Sequence, residues 1–324
     1  MSSLQVVGMG AMNLDRLYRV DRILLDGEAA VTESASCPGG SAANTIYGLA
    51  KLGVRTGFVG AVGADEAGKR LTEDLALVGV DLDHITVKQG VSTGETVCLS
   101  DAQGNRSLYV LPGANSHLVD RDMDVVYFNQ AQIVHLSSFV DSGQFELQKR
   151  LVAQLSPEVR VSLAPGSMYA ARGIDQLASI LERTHFLFLN RSEMEQLTGQ
   201  DYAVGARLCR ERGCDTVITT LGNIRLERGG HEVLVAAHVL SEEGEHFIVA
   251  KAVQDTPPVD TTGAGDAFAA GFLYGFIAGK TTAECGAMAE IMARWCTTRT
   301  GARDGLPSAE LLLQEYAASC GDQV

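Results

Sequence analysis

Residues 42–79 read AANTIYGLAKLGVRTGFVGAVGADEAGKRLTEDLALVG, and their periodicity decides the fold class. Apolar positions recur at helical spacing from Ala42 to Leu52 and stop at Gly53, a residue suited to closing a helix. VRTGFVGAVG is a short, almost wholly apolar run and reads as a buried strand; AGKRLTEDLALVG is a second helix ended by Gly79. Helix, strand and helix in such quick succession predict a parallel sheet covered by helices. Outward from this stretch the pattern repeats. LQVVGMGAMN reads as a strand entering a turn, and AQIVHLSS, EVRVSLAP, HFLFLN and DTVITTLG read as further strands with helices between them. Residues 266–278 and 283–298 are helical, with enough Ala and Gly for close packing. Two regions break the alternation. TGETVCLS and RSLYVLP flank DAQGN, a turn sequence, so 93–112 predicts a hairpin. A second β-rich patch spans 16–36. Together they predict a small sheet apart from the core.

Composition narrows the function. The chain has 324 residues, enough for two domains or one large α/β unit, and its 46% apolar content supports a substantial core. Acidic residues number 40 against 26 basic, a net charge of −14, which argues against a nucleic-acid binder. Seven scattered Cys form no CxxC pair, so reduced thiols in the cytoplasm fit better than disulfides or zinc. MSSLQVVGMG lacks the basic start and apolar stretch of a signal peptide, and the longest apolar run, Ala267 to Ala278, is too short to span a membrane. The seven His stand singly, without metal-ligand spacing.

Two nucleotide-like motifs are decoys. Gly63-Ala-Asp-Glu-Ala-Gly68-Lys69 has P-loop spacing, but Arg70 replaces the hydroxyl residue that would hold Mg²⁺, and Asp65-Glu66 would repel phosphate. It reads as a strand–helix turn with an acidic helix start. Gly8-Met-Gly10-Ala-Met-Asn13 imitates a dinucleotide fingerprint, yet Asn13 takes the third Gly position and no helix pattern follows. Asn13 and Asp15 are themselves of interest. Spaced by two in an extended segment, they point the same way and suit paired hydrogen bonds to neighbouring hydroxyls; an Asx turn is the plainer alternative. Cys37-Pro-Gly39-Gly40-Ser41-Ala-Ala-Asn44 is either an ordinary Gly-rich turn or a place where the backbone closes on a ligand. The sharpest signal is Asp260-Thr-Thr262-Gly263-Ala264-Gly265-Asp266-Ala-Phe268, running into an Ala/Gly-rich helix. Small residues at a helix N-terminus leave N–H groups free for an anion. Asp266 beside such an anion hole stabilises the helix end or, more tellingly, takes a proton from a hydroxyl that attacks a bound phosphoryl group.

These motifs resemble the ribokinase-like (PfkB) family of carbohydrate and nucleoside kinases. GGSAANTIYGLAKLG is similar to its N-terminal signature and DTTGAGDAFAAGF to its C-terminal one, and the likeness runs from Gly8 to about Pro307. The resemblance implies a three-layer α/β/α sandwich with a mostly parallel central sheet: 1–15, 37–92 and 113–324 form the core, and 16–36 with 93–112 form a β lid. It implies ATP- and Mg²⁺-dependent phosphorylation of a hydroxyl, in all expectation a primary one, of a small sugar or sugar derivative. The alternatives are an adenosine-type nucleoside kinase and, third, a silent sugar or nucleotide sensor. Asp266 is then the base, with the N–H groups of Gly263, Ala264 and Gly265 as anion hole. Asn13, Asp15, Gly39, Gly40, Ser41 and Asn44 stand at sugar-gripping positions, Ser41 where ribokinases usually carry Lys. Asn190 and Glu193 match an NxxE motif that organises Mg²⁺, partly through water, although Asn-x-x-Glu is also a capping box. Thr220, Gly222, Asn223 and Arg225 fall in a loop beside the nucleotide, and Glu290 falls beside the adenine. Asp260, Thr262, Arg299 and Gly301 resemble a K⁺ site built mostly from backbone, with Gly305 replacing a common Ser. A homodimer through the lid occurs in several relatives and is left open. Met12, Leu108 or Val110 would stack on a base or simply pack in the lid.

Overall fold

The computed structural model of the chain describes residues 4–103, 105–228, 231–251 and 258–321. The strands are β1 (Val6–Met9), β2 (Asn13–Val20), β3 (Val31–Gly39), β4 (Thr56–Gly63), β5 (Ile85–Lys88), β6 (Gly94–Asp101), β7 (Arg106–Leu111), β8 (Ile133–Ser137), β9 (Arg160–Ala164), β10 (Thr184–Asn190), β11 (Thr216–Arg228), β12 (His231–Ser241) and β13 (Gly244–Val249). The α-helices are α1 (Ser41–Lys51), α2 (Glu66–Leu77), α3 (Val125–Phe128), α4 (Ser142–Gln154), α5 (Gly166–Ala170), α6 (Ile174–Leu181), α7 (Arg191–Thr198), α8 (Tyr202–Glu211), α9 (Ala264–Ile277), α10 (Thr282–Cys296) and α11 (Ala309–Gly321).

One sheet runs in the order β13-β12-β11-β10-β9-β8-β1-β4-β5, parallel from β11 to β5 and antiparallel at β12 and β13. Alternate side chains feed two apolar layers, as a sheet buried on both faces requires. Val6, Phe58 and Val62 join Ile46, Leu71, Phe272 and Met288 beneath α1, α2, α9 and α10. Val7, Val59 and Ala61 join Leu151, Ile180, Met194 and Cys209 beneath α4, α6, α7 and α8. This is the three-layer α/β/α sandwich expected, with a separate four-stranded sheet in the order β3-β2-β6-β7.

The small sheet is larger than its sequence boundaries. Its ladders run to Asn13↔Gly39 and Asn13↔Gly94, so residues 13–15 and 37–39, assigned above to the core, are strand residues of this sheet. Only residues 10–12 separate β1 from β2, too short a link for a change of layer to show in hydropathy. The antiparallel edge, β12 and β13, was not foreseen. There β11 continues past Gly222 through a register shift between Thr220 and Ile224, so the segment expected to be a loop is an irregular strand. Both decoys resolve as argued: β1 leads to a strand rather than a helix, and Asp65 caps α2 by accepting from the Gly68 N–H at 2.8 Å.

Candidate active site

Helix α9 begins at Gly263 in the left-handed region (φ 76), where a Cβ would strike Ala302, and has no side-chain cap. Asp266, in its first turn, turns instead to α1. Its Oδ1 accepts from Ser41 Oγ at 2.7 Å and its Oδ2 from Asn44 Nδ2 at 2.8 Å. Gly40 makes this meeting possible: at φ 98 it swings the chain from β3 into α1, and a Cβ there would meet the Ala11 carbonyl. Burial pushes the Asp266 pKa above its ordinary value, against the Asn44 and Ser41 hydrogen bonds and the Arg303 charge, which favour the carboxylate. A Cβ on Gly265 would meet nothing within 4 Å, so the α9 N-terminus faces open space.

That space is a cleft of about 110 Å³ at the carboxyl ends of β9 and β10, where open parallel sheets receive ligands. Ser41, Asn190, Glu193, Thr220, Gly265 and Asp266, all singled out from the sequence, line it. Asn190 caps α7: its Oδ1 accepts from the Glu193 N–H and Glu193 Oε2 accepts from the Asn190 N–H, both at 2.9 Å. Burial raises the Glu193 pKa, and the Asp266 charge adds to that. No cluster of three His, Cys, Asp or Glu able to hold a metal occurs among the described residues.

Beside Asp266 lies the second predicted cluster. Asp15 is paired across β2 and β3 with Cys37, and a Cβ on Gly39 would collide with the Asp15 carboxylate. Burial pushes the Asp15 pKa up to about 6, against the Thr96 hydrogen bond and the Arg303 charge. The charge of Asp266 reinforces the rise. Asn13 is buried, its Oδ1 accepting from Asn115 Nδ2 at 2.9 Å. At the far side of the α9 N-terminus, Asp260 accepts from the Thr262 N–H at 2.9 Å, Thr262 Oγ1 at 2.7 Å and the Gly301 N–H at 2.8 Å. Burial works to raise the Asp260 pKa, but these hydrogen bonds outweigh it and hold the carboxyl below its ordinary value. Arg299 is exposed.

Gly222, Arg225 and Glu290, all expected on the nucleotide side, lie outside the cleft lining. Gly222 is exposed in β11 with φ 64. Arg225 pairs with Glu232 of β12 at 2.7 Å. Glu290 is buried in α10, where its Oε1 accepts from the Lys251 N–H at 3.0 Å and from Arg294 Nε at 3.2 Å. The Asn223 side chain lies outside the described residues. Conversely, sequence reasoning missed Thr96 and Asn115, which hold Asp15 and Asn13, the lining residues Ala164, Gly166 and Phe188, and above all Arg303. Arg303 had one available signal, a lone cation in the Gly-rich turn directly after Gly301-Ala302. Asn115 and Thr96 had none.

The pfkB family of carbohydrate kinases matches residues 3–309. An uncharacterized sugar kinase from Archaeoglobus fulgidus is 37% identical over 265 residues, covering 80% of this chain and 98% of that protein. An ATP-dependent ribose-1-phosphate kinase from Halopiger xanaduensis is 30% identical over 94% of each chain. The Arabidopsis thaliana ribokinase complexed with ribose and ATP superposes with a TM-score of 0.79 at 26% identity, covering 98% of this chain and 99% of the other.

Proposed function

From the premise that this chain belongs to the pfkB family of carbohydrate kinases, whose members transfer a phosphoryl group to an alcohol, we propose that it phosphorylates a primary hydroxyl of a small sugar or sugar derivative. One observation carries the assignment of roles. Asp266 sits in the first turn of an uncapped helix, facing a cleft, and spends no hydrogen bond on its own helix end. ATP supplies the phosphoryl group when bound. In this proposal Asp266 removes the hydroxyl proton as the substrate oxygen attacks. The N–H groups at Gly263, Ala264 and Gly265 stabilise the charge of the transferring group. Asn13, Asp15, Gly39, Gly40 and Asn44 hold the sugar, with Ser41 beside them. Glu193 and Asn190 organise a hydrated Mg²⁺, and Thr220, with the more distant Gly222, Asn223, Arg225 and Glu290, serves the nucleotide side. Asp260, Thr262, Arg299 and Gly301 form a K⁺ site. The small sheet closes as a lid that excludes water, and its edge pairs two copies. Free thiols at the six described cysteines support a cytoplasmic location.

A nucleoside acceptor is the second reading, and one observation favours it. Val110 registers with Thr96 and Leu108 with Cys98, while Thr96 registers with Asp15, so these apolar side chains share the face of the small sheet that carries Asp15. Leu108 is exposed and Val110 half-buried on that face, as a surface for a base would be. Met12, by contrast, is 1% exposed and belongs to the core.

ADP release from ATP and Mg²⁺, with and without K⁺, across free sugars, sugar phosphates and nucleosides tests the proposal, with Asp266→Asn as the blank. Turnover on sugars alone supports the first reading and turnover on nucleosides the second. Binding without turnover makes the chain a sensor, and near-normal turnover by Asp266→Asn removes the base assignment.

A further inference from the structure

Arg303 is a buried cation that the reaction scheme above does not use. Only 5% exposed, it lies in the turn after α10 and reaches three separate elements. Its Nε donates to Asn44 Oδ1 at 2.9 Å, its Nη1 to the Asp74 carboxylate of α2, and its Nη2 to the Gly39 carbonyl at the end of β3 at 3.4 Å. Its guanidinium stands 5.1 Å from the Tyr47 ring centre. A guanidinium has donors and no acceptor, so the Asn44 amide must present its oxygen to Arg303. That leaves Nδ2 as the only group Asn44 can turn to Asp266, and it is the group found there, 2.8 Å from Oδ2.

We propose that Arg303 is a positioning residue for the phosphoryl-transfer base: by fixing the Asn44 amide, it makes Asn44 a permanent donor to Asp266 and so sets the direction of that carboxylate. The proposal rests on Asp266 being the base. Without Arg303 the amide is free to rotate by half a turn and present oxygen to oxygen, which repels. The same guanidinium ties the Gly39–Gly40 turn to α1 and α2, so the two Gly-rich turns of the site share one anchor. Asp74, part-exposed at 25%, offsets the cost of burying the guanidinium. The titratable and charged groups whose fields reach Asp266 are Arg303, Asp15 of β2, Glu193 of α7 and Cys296 of α10. Arg303 is the cation of that set, so its removal moves Asp266 toward the protonated form.

The test compares wild type, Arg303→Gln, Arg303→Lys and Asp266→Asn. In Arg303→Gln, kcat is expected to fall about tenfold or more while both KM values stay within about threefold. The acid limb of kcat/KM should move to higher pH, because a base stripped of a neighbouring cation stays protonated longer. Arg303→Lys keeps the charge, so its acid limb should stay near wild type while kcat is reduced. A turnover-free measurement runs in parallel: in asparagine-selectively 15N-labelled protein, the Asn44 side-chain amide signals should titrate with Asp266 in wild type and lose their shifted positions in Arg303→Gln. If Asp266→Asn is inactive but Arg303→Gln keeps the wild-type pH profile and Asn44 signals, losing only melting temperature, Arg303 is structural and the proposal is overturned. If Asp266→Asn turns over normally, the base assignment fails instead, and the Asn44 signals still report whether Arg303 orients the amide.

Discussion

Helices α7 and α9 start at the same cleft and carry an acid at the same position, three residues inside the N-cap, yet the two acids are used in opposite ways. Glu193 folds back on α7 and, with Asn190, closes its N-terminus. Asp266 leaves α9 uncapped and reaches across to Ser41 and Asn44. The cap residue explains the difference. Asn190 has a side chain that captures its own helix, whereas Gly263, in the left-handed region, has none. Spacing alone does not distinguish an acid that closes its own helix from one that reaches across to another; what occupies the N-cap does.

The same truncation at both positions breaks or upholds this contrast. Asp266→Ala should reduce kcat by about a thousandfold or more, with a melting temperature near wild type. Glu193→Ala should cost about 1 kcal/mol of stability through the lost half of the capping box, a shift of a few degrees in melting temperature. Its effect on kcat should be far smaller, while the Mg²⁺ concentration for half-maximal rate rises about tenfold. Equal losses of kcat at the two sites would end the distinction. Gly265→Ala sharpens it next. The added methyl meets no atom of the protein, so the fold should hold or gain slightly. It projects into the space where the anion would sit, so kcat/KM for ATP should fall about ten- to a hundredfold. An unchanged kcat/KM would place the phosphoryl group elsewhere.

How far the sequence could foretell this follows the range of the interactions involved. The α1 and α9 N-termini were legible because their glycines, helical periodicity and polar side chains lie within a few residues of one another. The alternation of central strands was legible because burial on both faces leaves nearly continuous apolar runs, as in HFLFLN. Strands β12 and β13 escaped because the strand before them already looked complete at Gly222, which hid the Gly229-Gly230 turn signal directly ahead of HEVLVAAHVLS. Arg303 escaped because its meaning depends on Asn44, 259 positions away, and on Asp74 and Gly39, which meet it only after three elements have packed. Asn115 and Thr96 are polar residues of unremarkable local context, and only the folded geometry shows that they hold Asn13 and Asp15.

The smallest effect concerns the other carboxylate of the site. Asp15 is pushed up to about 6 from an ordinary 3.8, chiefly by burial. Between those values the folded chain keeps a proton that the unfolded chain has released, so stability declines as pH rises through the window and levels off above it. At pH 8 the fold therefore carries an ionised group that its surroundings disfavour. Asp15→Asn, which keeps the shape and removes the charge, should raise the melting temperature by a few degrees at pH 8. That advantage should fade as the pH falls below the ordinary 3.8, where Asp15 becomes neutral in both states. The variant should also lose protection by the acceptor, because an amide cannot replace a carboxylate that accepts from two neighbouring hydroxyls. A lower melting temperature for Asp15→Asn at pH 8 would mean that the Thr96 hydrogen bond and the Arg303 charge outweigh burial, making Asp15 as structural an acid as Glu193.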